Sequence, residues 1–181
     1  GAAVIDGDLE RAVHLYVGMA GIREGPEAAS FRASWRDARD PHKSLELAPE
    51  RLGYESSMLQ HLTKKPDDYI GAFKTLPNSL QLLMVHSIQS LAFNHALSER
   101  IGSGLSLIEP VEGDLVAPLL SNGRIDVGKM AHVSATNLER CHRNCKLGRL
   151  VVTGTLPGRD LSFAEGVPGK NEAEGVRQAG L

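Results

Sequence analysis

Pro77-Asn78-Ser79-Leu80-Gln81-Leu82-Leu83-Met84-Val85-His86-Ser87-Ile88-Gln89-Ser90-Leu91-Ala92-Phe93-Asn94-His95-Ala96-Leu97-Ser98-Glu99-Arg100 is the stretch on which the fold turns. Pro77 can open a helix because a first-turn residue has no use for its N–H. Leu80, Leu82 and Leu83 drive the helix, and Gly102 and Gly104 end it. At 3.6 residues per turn, Met84, Val85, Ile88, Leu91 and Ala92 share a broad apolar face. Ser87, Ser90, Asn94 and Ser98 form a narrow polar strip, and Phe93 and Leu97 add a second apolar flank. The pattern predicts a helix embedded on most sides.

Upstream the chain reads as short helices. Asp6 is expected to cap a helix over 7–18 whose face holds Leu9, Val13 and Tyr16. Gly25-Pro26 opens a second, with Phe31 and Trp35 four apart as its core stripe. Pro41, Pro49, Pro66 and Pro77 punctuate the next shorter pieces, among them a helix over 51–63. Downstream the texture changes. The runs 105–108, 114–117 and 149–153 read as short strands between Gly, Pro and Asp turns. Ser134 is expected to cap a helix over 135–146 that Gly148 ends, and the tail 154–181 reads as loop. The fold class is α+β, with a mainly helical first part and a small β-sheet in the C-terminal part, taken as a single domain over 1–181.

The 181 residues are 41% hydrophobic, 23% charged and only 4% aromatic, an ordinary globular composition whose core must rest on Leu, Val, Ile and Ala. A net charge of −2 excludes a surface uniformly basic for nucleic acid, though not a local basic face. Two cysteines, Cys141 and Cys145, make no disulfide framework. A reducing cytoplasm is therefore expected, and separately no run approaches the roughly 18–20 apolar residues a membrane span needs. The first residue is not Met and Gly1-Ala2-Ala3-Val4 does not open a signal peptide; an excised segment of a longer polypeptide and N-terminal processing would both leave such a start.

The run Val85–Ile101 resembles the characteristic helix of the TruD family of RNA pseudouridine synthases. Its flanks fit as well: Tyr69-Ile70-Gly71-Ala72-Phe73 and Leu76-Pro77 before it, Pro110-Val111-Glu112-Gly113-Asp114-Leu115-Val116 after it. Thr153-Gly154-Thr155-Leu156-Pro157-Gly158 is similar to a segment near the end of that family's inserted domain. Gly7-Asp8-Leu9-Glu10-Arg11-Ala12-Val13 is similar to the run after the family's catalytic-core block. Ile88 stands where the family commonly has an aromatic. The Gly-x-Lys-Asp block that carries the family's catalytic aspartate, and its Asn/Phe/Arg-rich block, have no counterpart in the sequence. The resemblance therefore implies the insertion domain of an enzyme that converts uridine in RNA, tRNA above all, to pseudouridine. The catalytic core would belong to the same parent polypeptide, with no metal or organic cofactor, no catalytic residue in this stretch and no membrane association.

What such a domain can add is grip on RNA. Arg140, Arg143, Lys146 and Arg149 crowd one short segment, opposed only by Glu139, and are the candidate RNA-binding residues. Arg32, Arg36, Arg39 and Lys43 form a second group, diluted by Asp37 and Asp40, which reads as a solvated face; Lys64-Lys65 is weaker still. Cys141, His142 and Cys145 could suggest zinc, but one close cysteine pair is half of a usual site, and packed thiols are the simpler reading. His86, Asn94 and the Ser90 strip read as helix-packing groups. The alternative is a helical protein-interaction module without an RNA role, whose contacts would centre on apolar anchors.

Overall fold

Three helix starts in the first half are written into the sequence as aspartates. A computed structural model describes residues 1–158 and 161–181. After a single turn, α1 (Ala2–Ile5), comes α2 (Leu9–Gly18), capped by Asp8, whose carboxylate accepts from the Arg11 N–H at 2.9 Å. Asp6, the expected cap, instead closes α1. Gly7 at φ 75° reverses the chain there, so Asp8 is the first side chain able to reach the new helix. The helix α3 (Pro26–Ala38) begins on its proline; α4 (Pro41–Glu46) is capped by Asp40, through the N–H groups of His42 and Lys43. Then follow α5 (Gly53–Lys64) and α6 (Tyr69–Lys74), the latter capped by Asp68 through the Gly71 N–H.

The chain divides into two units, Gly1–Ser87 and Ile88–Leu181. In the first, Val13 and Val17 of α2 meet Phe31 and Trp35 of α3, with Met58, Leu59 and Phe73 closing the core. The Phe31/Trp35 stripe is thus fully buried, as its spacing predicts.

The helix α7 (Asn78–Gly102) follows Pro77, whose carbonyl accepts from the Leu80 and Gln81 N–H groups. Its first turns pack Leu80 and Met84 on the first unit's core. It is less enclosed than its composition suggests: only Ile88, Ala92 and Arg100 are buried, while Leu82, Leu83 and Leu91 are exposed. Ser90, His86 and Asn94 are exposed too.

The second unit holds an antiparallel sheet in the order β2-β1-β3: β1 (Leu115–Pro118) lies between β2 (Ala131–His132) and β3 (Leu150–Val152). Val116 faces Ala131 on one side and Val152 on the other. The helix α8 (Leu138–Lys146) lies between β2 and β3 in sequence. Residues 105–108, expected as a strand, form a turn instead. The Ile108 and Glu109 N–H groups donate to Ser106 Oγ, and the Ser106 carbonyl accepts from Arg100 Nε at 2.7 Å, so these polar groups are spent locally rather than on a ladder. β2 has only two residues, too short for an alternating pattern to announce it.

The tail is the larger departure from the sequence reading, for α9 (Gly166–Gln178) is a regular helix. Four of its residues are glycine or proline, which hides its helical period. Tertiary contacts hold it. The buried Glu172 carboxylate accepts from Thr155 N, Thr155 Oγ1 and Ala164 N at 2.7–3.0 Å. Gly175 lies directly against α7, where an added Cβ would sit 2.6 Å from Ala96 Cα. Gly175→Leu is therefore expected to destabilise the second unit by about 1–3 kcal/mol through overpacking. Denaturant midpoints for Gly175→Ala and Gly175→Leu check this, with Leu the worse of the two.

Candidate nucleic-acid interface

The basic segment is carried by α8. Asn137 precedes the helix and spends its Oδ1 on the Ser134 N–H at 2.9 Å, while the Ser134 hydroxyl meets Thr136 Oγ1 instead of capping. The regular helix accordingly starts at Leu138, later than Ser134 suggests. Cys141, buried with Val116 and Val133, seats the helix on the sheet. The His142 ring Nε2 meets the Pro110 carbonyl at 2.6 Å. Burial, and then the neighbouring Cys141, push the Cys145 thiol upward, away from the thiolate that a metal or an electrophile would need.

The exit from α8 decides where the last cation goes. Gly148 takes φ 65°, its N–H donates to the Cys145 carbonyl, and the Arg149 N–H donates to the Asn144 carbonyl, both at 2.9 Å. This is a Schellman ending, which needs a left-handed residue and finds glycine. It turns the chain directly into β3, and the Arg149 carbonyl accepts from Leu119 N. Arg149 is thus carried beside α8 by the turn rather than by helical periodicity.

All four candidate residues, Arg140, Arg143, Lys146 and Arg149, are exposed, yet they do not form one cluster. Arg140 and Arg149 line a concavity of about 430 Å³ whose floor includes Val116, Pro118 and Leu150. Arg143 is outside that lining, and Lys146 reaches Glu109 at 3.7 Å. Residues three apart on a helix drift by about 60° per step, so Arg140, Arg143 and Lys146 fan away from one another. A third cation joins the two arginines: Lys129, from the turn 127–129 between β1 and β2, held 3.5 Å from Asp126. Nothing in its local sequence marks Lys129; only the β1–β2 pairing brings it to α8. Asn137 and Asn144 also line the concavity, and among its described lining residues none is acidic. Guanidinium groups, an ammonium and amides over an apolar floor suit phosphate oxygens and sugar hydroxyls.

The second basic group disperses differently. Arg32, read from sequence as part of a solvated face, is 7% exposed. It donates to the Glu24 carboxylate, to Glu55 Oε1 at 3.0 Å and to the Tyr16 and Val17 carbonyls. Arg36 and Arg39 are exposed, as are Lys43, Lys64 and Lys65.

The family described as tRNA pseudouridine synthase D (TruD) matches residues 1–181. A protein of Methanosarcina acetivorans named as a probable tRNA pseudouridine synthase D is 37% identical over 178 residues, 98% of this chain and 40% of that protein. One from Methanopyrus kandleri, similarly named, is 40% identical over 116 residues, 64% of this chain and 29% of its own length. A crystal structure from Methanosarcina mazei, titled for the same enzyme, superposes with a TM-score of 0.92 at 35% identity, covering 99% of this chain and 41% of that one. The chain thus spans about 40% of the length of the first relatives it matches.

Proposed function

The chain belongs to the tRNA pseudouridine synthase D (TruD) family, and on that premise we propose that it is the insertion domain of an RNA uridine-to-pseudouridine isomerase, positioning tRNA over a catalytic core elsewhere in the same polypeptide. In that isomerisation the glycosidic bond at N1 breaks, the base turns, and C5 is joined to the sugar as its proton leaves. The aspartate that the reaction requires belongs to the core and not to this chain. The target nucleotide must leave its stack, at a cost of a few kcal/mol, so purchase on the surrounding RNA has direct catalytic value. The working compartment in this reading is the cytoplasm; among the described residues no helix is long and apolar enough to cross a membrane.

The observation that carries the reading is the Arg140–Arg149–Lys129 concavity, a cationic recess without an acidic lining residue in a chain whose net charge is negative. Phosphate contacts of this kind position RNA without reading its sequence.

Two measurements test the proposal. Tritium release from tRNA labelled at uridine C5 is expected with the complete parent polypeptide and absent with this chain alone. Release by this chain alone would refute the missing aspartate, and silence from both on a broad tRNA mixture would refute the isomerase. Secondly, Arg140→Glu with Arg149→Glu in the parent polypeptide is expected to weaken tRNA binding about 10–100-fold and to flatten its salt dependence. Unchanged affinity and an unchanged salt slope would move the RNA contact elsewhere. Binding to protein partners that is indifferent to salt would favour an interaction module.

A further inference from the structure

The first unit has a concavity of its own, about 660 Å³, between α2 and α3. Its lining brings together Arg11 of α2 and Arg36 and Arg39 at the end of α3, with His14, Leu15 and Met19 between them. Arg39 is the C-cap of α3 and takes the left-handed conformation, φ 53°, uncommon for a residue with a Cβ. In that conformation its guanidinium lies over the indole of Trp35, 5.7 Å from the ring centroid. A cation–π contact of this kind tethers the charged group beside the ring without spending its N–H donors. Arg36 donates one N–H to the Gly18 carbonyl at 3.0 Å, which anchors it beside the end of α2. Arg11, Arg36 and Arg39 are all exposed, and among the described residues none of the three is in an ion pair.

Two carboxylates, Asp8 and Glu10, share the lining, which keeps an excess of one positive charge. Asp8 caps α2, and Glu10 lies 3.4 Å from the His14 ring. That ring is wedged against Trp35 and Tyr69, centroids 5.1 and 5.2 Å away. Burial, and then Arg39, hold the His14 imidazole below its ordinary value, which leaves the three arginines as the positive charge of the lining. Leu15 and Met19 are exposed at 43% and 63%, an apolar shelf beside these cations.

We infer that this concavity is a second seat for the RNA strand, in which Arg11, Arg36 and Arg39 hold backbone phosphate and an unstacked base lies on the Leu15–Met19 shelf. Arginine suits the first task because its fork matches phosphate oxygens, and an apolar shelf suits the second because an unstacked base presents an apolar face. The inference rests on the RNA-binding reading above but concerns separate residues in the other unit.

The test uses the complete parent polypeptide and tRNA transcripts carrying 4-thiouridine. In filter binding, Arg11→Glu with Arg39→Gln is expected to lower affinity about tenfold and to reduce the slope of log affinity against log salt by about one to two. Arg11→Glu alone, at an exposed helix position, is expected to move both readouts in the same direction with unchanged thermal unfolding. Ultraviolet crosslinking of the unsubstituted protein is expected to label the tryptic peptide Ala12–Arg23, which carries Leu15 and Met19. If the unsubstituted protein binds and isomerises tRNA while the variants bind equally well and no crosslink falls in that peptide, the second seat is refuted and the enzyme reading stands. If the unsubstituted protein neither binds nor isomerises tRNA, both fall together.

Discussion

Replacing Asp114 by Ala is expected to destabilise the second unit by about 3–5 kcal/mol, the usual loss when one partner of a buried ion pair is removed. Asp114 is 1% exposed and its partner Arg100 is 9% exposed. The two form a bidentate pair, Nη1 to Oδ1 at 2.6 Å and Nη2 to Oδ2 at 2.8 Å. Asp114 Oδ2 also accepts from the Val111 N–H at 2.7 Å, and Arg100 Nε donates to the Ser106 carbonyl. One side chain of α7 and one at the start of β1 thereby pin the turn 103–113 between them. Truncation at Asp114 strands a guanidinium and a backbone N–H away from water, and leaving such groups unpaired outweighs the modest net value of making the bonds. Urea unfolding with a probe in the second unit measures the loss. Arg100→Leu with Asp114→Leu should recover part of it, since no charge is then stranded, but not all, because the Val111 N–H and Ser106 carbonyl still lose their partners. A loss below about 1 kcal/mol in the single variant would show that the pair is hydrated.

The first unit has a comparable latch. Arg32→Met is expected to cost about 3–5 kcal/mol, again for the charge left behind rather than for the bonds themselves. Met keeps most of the volume while removing every donor. The Glu55 carboxylate, 8% exposed, and the Tyr16 and Val17 carbonyls at the end of α2 then lose their partner. A pH signature separates this from a simple packing defect. The hydrogen bond from Arg32 holds the Glu24 carboxyl below the ordinary carboxylate value of 4.5. A depressed folded-state value means that the unfolded chain binds the proton more readily. The stabilisation is therefore complete above about pH 4.5 and is lost as the pH falls through the lower folded value. Urea midpoints across the acid range should show this decline in the unsubstituted protein and a flatter profile in Arg32→Met. Parallel profiles would mean that Glu24 draws nothing from the pair.

Arg32 shows where reading a one-dimensional pattern reaches its limit. In sequence it sits among Arg36, Arg39, Asp37 and Asp40, and such a mixture ordinarily marks a solvated face. Whether one arginine of the group turns inward depends on carboxylates 8 and 23 residues away, Glu24 and Glu55. Local spacing carries no information about them. The basic segment at 140–149 repeats the lesson for the candidate site. That cations were concentrated there was legible. That Arg140 and Arg149 share a recess with Lys129 while Lys146 turns to Glu109 required the sheet pairing and the Gly148 turn.

By itself the sequence determined the elements whose causes are local. The Phe31/Trp35 stripe, the proline-started helices and the stop at Gly148 depend on spacing of a few residues and on backbone preference, and they form as read. The order of the motifs around the helix Asn78–Gly102 was likewise enough to point to the family. Tertiary structure alone decided the helix Gly166–Gln178, which has weak intrinsic preference and is held by Glu172 and by close approach at Gly175. It also decided the two-residue strand Ala131–His132 and both buried ion pairs. In each case the stabilising partner lies far along the chain, and a contact brought about by folding leaves no period in the sequence to be read.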